Sequence, residues 1–197
     1  VYMAWIRQAA EGRVLLRNQY TILPQNPQFF NVFFLACGKL VAATGQPPAV
    51  IFHIMRLAGG IVLLVSIYLL AAWLSDRPAV RWGTLCLASL GSGLGWLAAV
   101  WSEARAPYLP PPLRPPDYAP PSEHTWQAMP EAVTFVSIFL NPLFVWSMAL
   151  LCLFFVTALA AFELRRVRWA VVAGLVLLVL GNIHTYDIFA AHAALAL

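Results

Sequence analysis

Charge is what this sequence lacks most. Only 10% of its 197 residues are Asp, Glu, Lys or Arg, while 61% are hydrophobic. Soluble domains carry about 25% charged residues. A chain of this length has no core large enough to hide so much apolar surface, so an ordinary soluble domain is excluded. Cysteine is also scarce. Cys37, Cys86 and Cys152 lie in apolar runs, without the number or spacing of a disulfide framework or a zinc site. They read as small buried hydrophobes. The net charge of +4 comes from arginines divided among several segments. No basic stripe interleaves with polar residues, which excludes a nucleic-acid partner and leaves lipid phosphate as the natural anion. No repeat of fixed period and no signal-peptide pattern is visible.

What is present is a set of long apolar runs. About 20 apolar residues cross a bilayer, and four runs meet that length: roughly 50–74, 80–102, 131–163 and 168–183. A fifth element starts after Asp187. The third run is long enough to tilt or kink and carries Pro142 inside it. The short connections hold Arg77 and Arg81, then Arg165, Arg166 and Arg168. Short Arg-rich loops stay cytoplasmic. That rule places the N-terminal segment, the loop 103–130 and His184-Thr185-Tyr186-Asp187 outside. Six of the eight carboxylates, Glu11, Glu103, Asp117, Glu123, Glu131 and Asp187, lie in or at the edge of these outer segments.

Residues 2–11 predict a short amphipathic helix. Tyr2, Trp5, Ile6 and Ala9 share one face, with Arg7, Gln8 and Glu11 turned away. Gly12 suits its stop, and its aromatic residues suit the membrane interface. An amide-rich stretch follows, with Asn18, Gln19, Asn26 and Asn31 among its members, broken by Pro24 and Pro27. Residues 29–44 are apolar but carry Lys39 and reach only about 24 Å as a helix, so a second interfacial or partly inserted helix is expected. Pro47-Pro48 opens the next. The loop 103–130 is dense in proline, which favours extended backbone. It reads either as a linker or as a semi-rigid flap over an outer site.

Several residues are candidates for chemistry. Arg56 and His53 stand at the head of the first span. They suit a lipid-linked phosphate, although a terminal arginine also snorkels easily to headgroups. Gly91 and Gly95 form a GxxxG pair suited to close helix packing. The same stretch misses the Gly-x-Ser-Gly of rhomboid-type serine proteases, because position 90 is Leu90. Glu131 begins the third span, where a first-turn carboxylate also favours the helix dipole. Asn141-Pro142 reads as a local kink with the asparagine bonded to a neighbouring helix. The densest polar cluster is His184-Thr185-Tyr186-Asp187. A histidine and an aspartate three apart share a helix face and suit an acid/base unit or two metal ligands. A plain turn needs neither residue.

The order of these features resembles GT-C-type glycosyltransferases. Tyr2-Met3-Ala4-Trp5-Ile6-Arg7-Gln8-Ala9-Ala10-Glu11-Gly12, then Leu15-Leu16-Arg17-Asn18-Gln19-Tyr20-Thr21, is similar to the first external loop of that group, which includes protein O-mannosyltransferases and lipid A aminoarabinose transferases. Phe29–Lys39 and the His-Thr-Tyr-Asp corner also resemble its bacterial members. The resemblance implies sugar transfer from a polyprenyl-phosphate donor to an acceptor at the outer face of the bacterial inner membrane. An acid would act as base on the acceptor hydroxyl, and cationic groups would hold the departing lipid phosphate. Asp187, Glu131 and Glu11 are the acid candidates among the residues present. His184, Arg56, Lys39, His53 and Tyr186 are the substrate-binding candidates, and the amides between 18 and 31 suit a sugar or acceptor site. The family's principal acid is expected just before Tyr2, so the chain, which starts at Val1 and ends in an apolar run, reads as a piece of a longer protein without its first span. No metal ligand set is assigned, although a divalent metal stays open as a cofactor.

The expected fold is thus all-α: one polytopic transmembrane helix bundle over 1–197. Residues 1–48 form an external loop with interfacial helices, 49–102 two spans, 103–130 the proline-rich external loop, and 131–197 two spans and the start of another element. The competing function is a transporter, or a membrane subunit without activity. A transporter places polar groups near the midplane, whereas here they gather at the outer ends.

Overall fold

The computed structural model describes residues 1–24, 26–90 and 141–195. These residues form seven helices and no strand. They are α1 (Tyr2–Ala10), α2 (Val32–Thr44), α3 (Pro48–Leu74), α4 (Pro78–Leu90), α5 (Pro142–Leu164), α6 (Val167–Ile183) and α7 (Asp187–Leu195). Two of them, α3 with 27 residues and α5 with 23, are long and apolar enough to cross a membrane. At 1.5 Å per residue they span about 40 and 35 Å.

Local chemistry sets the boundaries. Asn31 caps α2, its Oδ1 accepting from the Phe33 and Phe34 N–H groups at 3.1 and 3.2 Å. Gly45, at φ +67, ends α2 in the left-handed conformation that glycine adopts without penalty. Pro48 opens α3 where its missing N–H costs nothing.

Pro142 does not kink a continuous span. Asn141 is extended, with φ −145 and ψ 113, and Pro142 is the first residue of α5. A residue before proline is pushed out of the helical region, and the Asn141 side chain caps the new helix by accepting from Leu143 N–H at 3.0 Å. The expected bond to a neighbour is nevertheless made: Asn141 Nδ2 donates to the Tyr2 hydroxyl at 3.4 Å. The first ten residues of the predicted third span, 131–140, lie outside the described residues, as do Gly91, Gly95 and the proline-rich loop.

α3 packs chiefly on α5, and α5 also on α6. Gly59 lets the Trp146 ring lie against α3, where its Nε1 donates to the Met55 carbonyl at 2.9 Å. Further along, Leu63 and Ile67 cluster with Val145 and Ala149. The register shows α3 and α5 running in the same direction. α6 returns antiparallel after the turn at Arg165 and Arg166. α1 lies on α2, where Gly38 brings the two backbones together: a Cβ there would meet Ala10 N at 2.7 Å. Ile6, Ala9, Phe33, Phe34, Cys37 and Phe52 form the core of that end. Of the three cysteines only Cys37 is buried; Cys152 is half-buried and Cys86 exposed.

One end of the molecule therefore gathers α1, the starts of α2, α3 and α5, and the end of α6. The turns holding Arg77, Arg165 and Arg166 lie at the other. Inside the long helices the small polar groups satisfy themselves. Ser66 Oγ donates to the Val62 carbonyl at 2.6 Å and Thr157 Oγ1 to Leu153 at 2.8 Å, as hydroxyls do in apolar surroundings.

Candidate functional site at the His184–Asp187 corner

α6 ends at Ile183, and His184 is its C-cap, with its N–H donating to the Leu180 carbonyl at 2.7 Å. The chain turns within three residues, and Asp187 opens α7, a carboxylate in a helical first turn. The turn is tight because Gly181 leaves room for Ile188: a Cβ on Gly181 would collide with the Ile188 side chain.

The turn brings His184 Nδ1 to 3.1 Å from Asp187 Oδ2, with both side chains largely shielded. The carboxylate oxygen lies off the direction of the ring N–H, so the contact is electrostatic rather than an aligned hydrogen bond. Phe144 of α5 stands edge-on to the imidazole at 5.6 Å between centroids, and Tyr186 flanks it at 5.8 Å. The Tyr186 ring is otherwise exposed. A carboxylate on the Nδ1 side favours a proton there and leaves Nε2 as the working nitrogen. Neutral, that nitrogen accepts a proton or a hydrogen bond. Protonated, it donates to an anion.

Asn182 ties this corner to the N-terminal segment. Its Oδ1 accepts from Val32 N–H at 2.6 Å, and its Nδ2 donates to the Phe30 carbonyl at 3.2 Å. Asn31 Nδ2 donates to the Asn182 carbonyl at 3.2 Å. Asn31 is thereby occupied with a cap and a clasp, and it does not line an open site. Nor does Gln8 face away, as the amphipathic pattern expected. It is buried, with Nε2 donating to the Arg17 carbonyl and Oε1 accepting from Arg17 N–H, both at 2.9 Å. A primary amide pairs with a peptide group as a second peptide would, and α1 uses this to hold the segment that folds back over it.

Of the residues singled out in the sequence, His184, Tyr186 and Asp187 come together here. Glu11 pairs instead with Arg13 at 3.4 Å on the surface. Lys39 is exposed on α2 and His53 on α3, while Arg56 is half-buried on α3. Among the described residues no hydrogen bond or ion pair joins Glu11, Lys39 or His53 to His184 or Asp187. Glu131 lies outside the described residues. No three His, Cys, Asp or Glu side chains among the described residues are grouped to hold a metal ion. Sequence reasoning passed over Asn182. The available signal was an asparagine closing an apolar run, where its amide must find partners.

No family model matches the chain, and neither a curated protein nor a solved structure matches it.

Proposed function

We propose that this chain belongs to a polytopic glycosyltransferase of the bacterial inner membrane, which moves a sugar from a polyprenyl-phosphate donor to an acceptor on the outer face. The observation that carries the reading is the shielded His184–Asp187 pair, set at the end of the bundle where α1 and α2 lie and opposite the arginine turns. Such an end is suited to surface chemistry on a lipid-anchored donor.

Two features support the membrane setting. Ile54, Leu57, Ile61, Val65 and Leu69 form an exposed apolar stripe along α3. Only 33% of the apolar window of α3 and 39% of that of α5 is buried, whereas the core helix of a soluble domain is covered on most sides. A stripe of this length suits hydrocarbon. In the proposed reaction His184 Nε2 holds the departing lipid phosphate, and Asp187 keeps the imidazole oriented. The pair supports the reaction without being its principal base.

The test uses the full-length protein, purified and supplied with polyprenyl-phospho-sugars, with release of lipid phosphate as the readout. Asp187→Asn and His184→Ala are expected to fold normally and turn over more slowly. Their loss should be smaller than the roughly 10²–10⁴-fold that a proton-transfer residue contributes. Wild-type turnover in both variants removes the corner from the mechanism. If no polyprenyl-phosphate donor binds, the enzyme reading falls and a transporter or non-catalytic subunit replaces it.

A further inference from the structure

The segment joining α1 to α2 is tied down at its base and apolar at its tip. Leu16 and Phe29 pair as a single antiparallel bridge, with N–H···O distances of 2.7 and 3.1 Å. Gln8 grips Arg17 from both sides. Above this stem the turns are made locally: Asn18 Oδ1 accepts from Tyr20 N–H at 2.9 Å, and Thr21 Oγ1 accepts from Leu23 N–H at 3.2 Å. The backbone is thus held so that Tyr20, Ile22 and Leu23 project outward. Ile22 is 101% exposed and Leu23 68%.

A tethered loop that presents tyrosine, isoleucine and leucine side by side is suited to insertion into an apolar phase. The charge around it says which. Residues 1–48 hold Arg7, Arg13, Arg17 and Lys39 against a single acid, Glu11, which Arg13 already engages. Aliphatic residues at a tip, a tyrosine beside them and an excess of exposed cations in the same N-terminal segment are complementary to a lipid surface carrying negative headgroups.

We infer that the Tyr20–Leu23 tip dips into the headgroup and acyl boundary of an anionic membrane and anchors the α1–α2 segment to it. The inference rests on the membrane setting proposed above, but not on the glycosyltransferase chemistry.

The test places a single environment-sensitive fluorophore at the tip. Cys86→Ser and Cys152→Ala remove the accessible thiols, buried Cys37 stays, and Ile22→Cys supplies the label site. The labelled protein is reconstituted in phosphatidylcholine vesicles with and without phosphatidylglycerol. The expected result is a blue-shifted emission that is quenched by doxyl lipids and shielded from iodide, with both effects larger in the phosphatidylglycerol vesicles. A tip probe open to iodide and untouched by doxyl lipid in anionic vesicles overturns the inference. So does a blue shift that disappears when each nanodisc holds one copy, because the tip would then be covered by a second copy. A parallel label at Ile61→Cys on the exposed stripe of α3 separates the two readings. Doxyl quenching at 61 but not at 22 defeats the anchor alone, and quenching at neither defeats the membrane setting. Hydrogen exchange on the unmodified protein gives the same answer without cysteine changes. Amides 20–23 are expected to exchange more slowly in anionic nanodiscs than in amphipol, and equal rates overturn the anchor.

Discussion

Asn182 and Asn31, at opposite ends of the described chain, form one clasp: Asn31 Nδ2 donates to the Asn182 carbonyl at 3.2 Å, and Asn182 Oδ1 takes the N–H of Val32 at 2.6 Å. The clasp fixes the start of α2 against the end of α6, two residues before the imidazole of the candidate site. Asn31 at the same time caps α2. Two short amides thus link an N-terminal helix to the His184 corner.

Asn182→Ala is expected to strand the Val32 N–H and to cost about 1–3 kcal/mol, the penalty of a part-buried donor left without its partner. Asn31→Ala loses the cap, at about 0.5–2 kcal/mol, as well as the clasp. The two side chains bond to backbone groups and not to each other, so each single variant leaves the other's bonds in place and the double variant should cost close to the sum. Thermal unfolding in detergent measures all three, and single variants as stable as wild type would show that the clasp contributes nothing.

Gln8 offers a second check. Gln8→Leu keeps the bulk of the side chain and leaves both polar groups of Arg17 unpaired, with an expected loss of about 1–3 kcal/mol. Gln8→Glu sets a carboxylate oxygen against the Arg17 carbonyl in a buried site and should cost at least as much as leucine at neutral pH. Hydrogen exchange at the Arg17 amide reads the effect directly: it should accelerate in Gln8→Leu, and an unchanged rate would mean the amide pairing does not hold the loop.

Glycines in similar helical settings should respond with opposite sign. At Gly38 an added methyl meets the backbone of α1, with Ala10 N at 2.7 Å. Gly38→Ala should force α1 and α2 apart, at about 1–3 kcal/mol, the usual cost of overpacking. At Gly174 nothing lies within 4 Å of the added carbon. Gly174→Ala should stabilise α6 by about 0.5–1 kcal/mol through the lower entropy of alanine in the unfolded chain. Melting temperatures that moved in the same direction would contradict the packing.

Cys37 should be inert. Burial pushes its thiol up from 9.0 to about 12, against a smaller downward pull from a backbone hydrogen bond. The thiolate is the reactive form, so it stays negligible at neutral and mildly alkaline pH and grows only as the pH approaches about 12. Maleimide at pH 8 should leave Cys37 unmodified in the folded protein and modify it after denaturation, as peptide mass spectrometry would show. Rapid labelling of the folded protein would mean that α1 does not cover it.

Much of this was legible in the sequence, wherever the controlling forces are local. Pro48 and Gly45 mark helix ends by their own backbone restrictions, so α2 and α3 could be bounded within a few residues. The alternation of apolar runs and short arginine turns put the N-terminal segment and the His184 corner at one end and Arg77, Arg165 and Arg166 at the other, because the number of long apolar helices between two segments decides which end each reaches. Pro142 was harder. A proline inside an apolar run is equally consistent with a kink and with a new first turn, and only the extended backbone of Asn141 decides for the second. Gln8, Asn31 and Asn182 were not legible as structural bonds. The periodicity of α1 put Gln8 on its polar face, but a buried amide is stable wherever a peptide group presents a matching donor and acceptor. That partner came from a loop folded back over the helix. The pairing of Asn31 with Asn182 likewise depends on two helix ends brought together by packing across α3 and α5. Sequence pattern sets which segments are helical and which ends are polar, since both follow from each residue's own preferences. Which polar groups bond to one another, and so which remain free for chemistry at His184 and Asp187, was decided only when distant segments met in the tertiary structure.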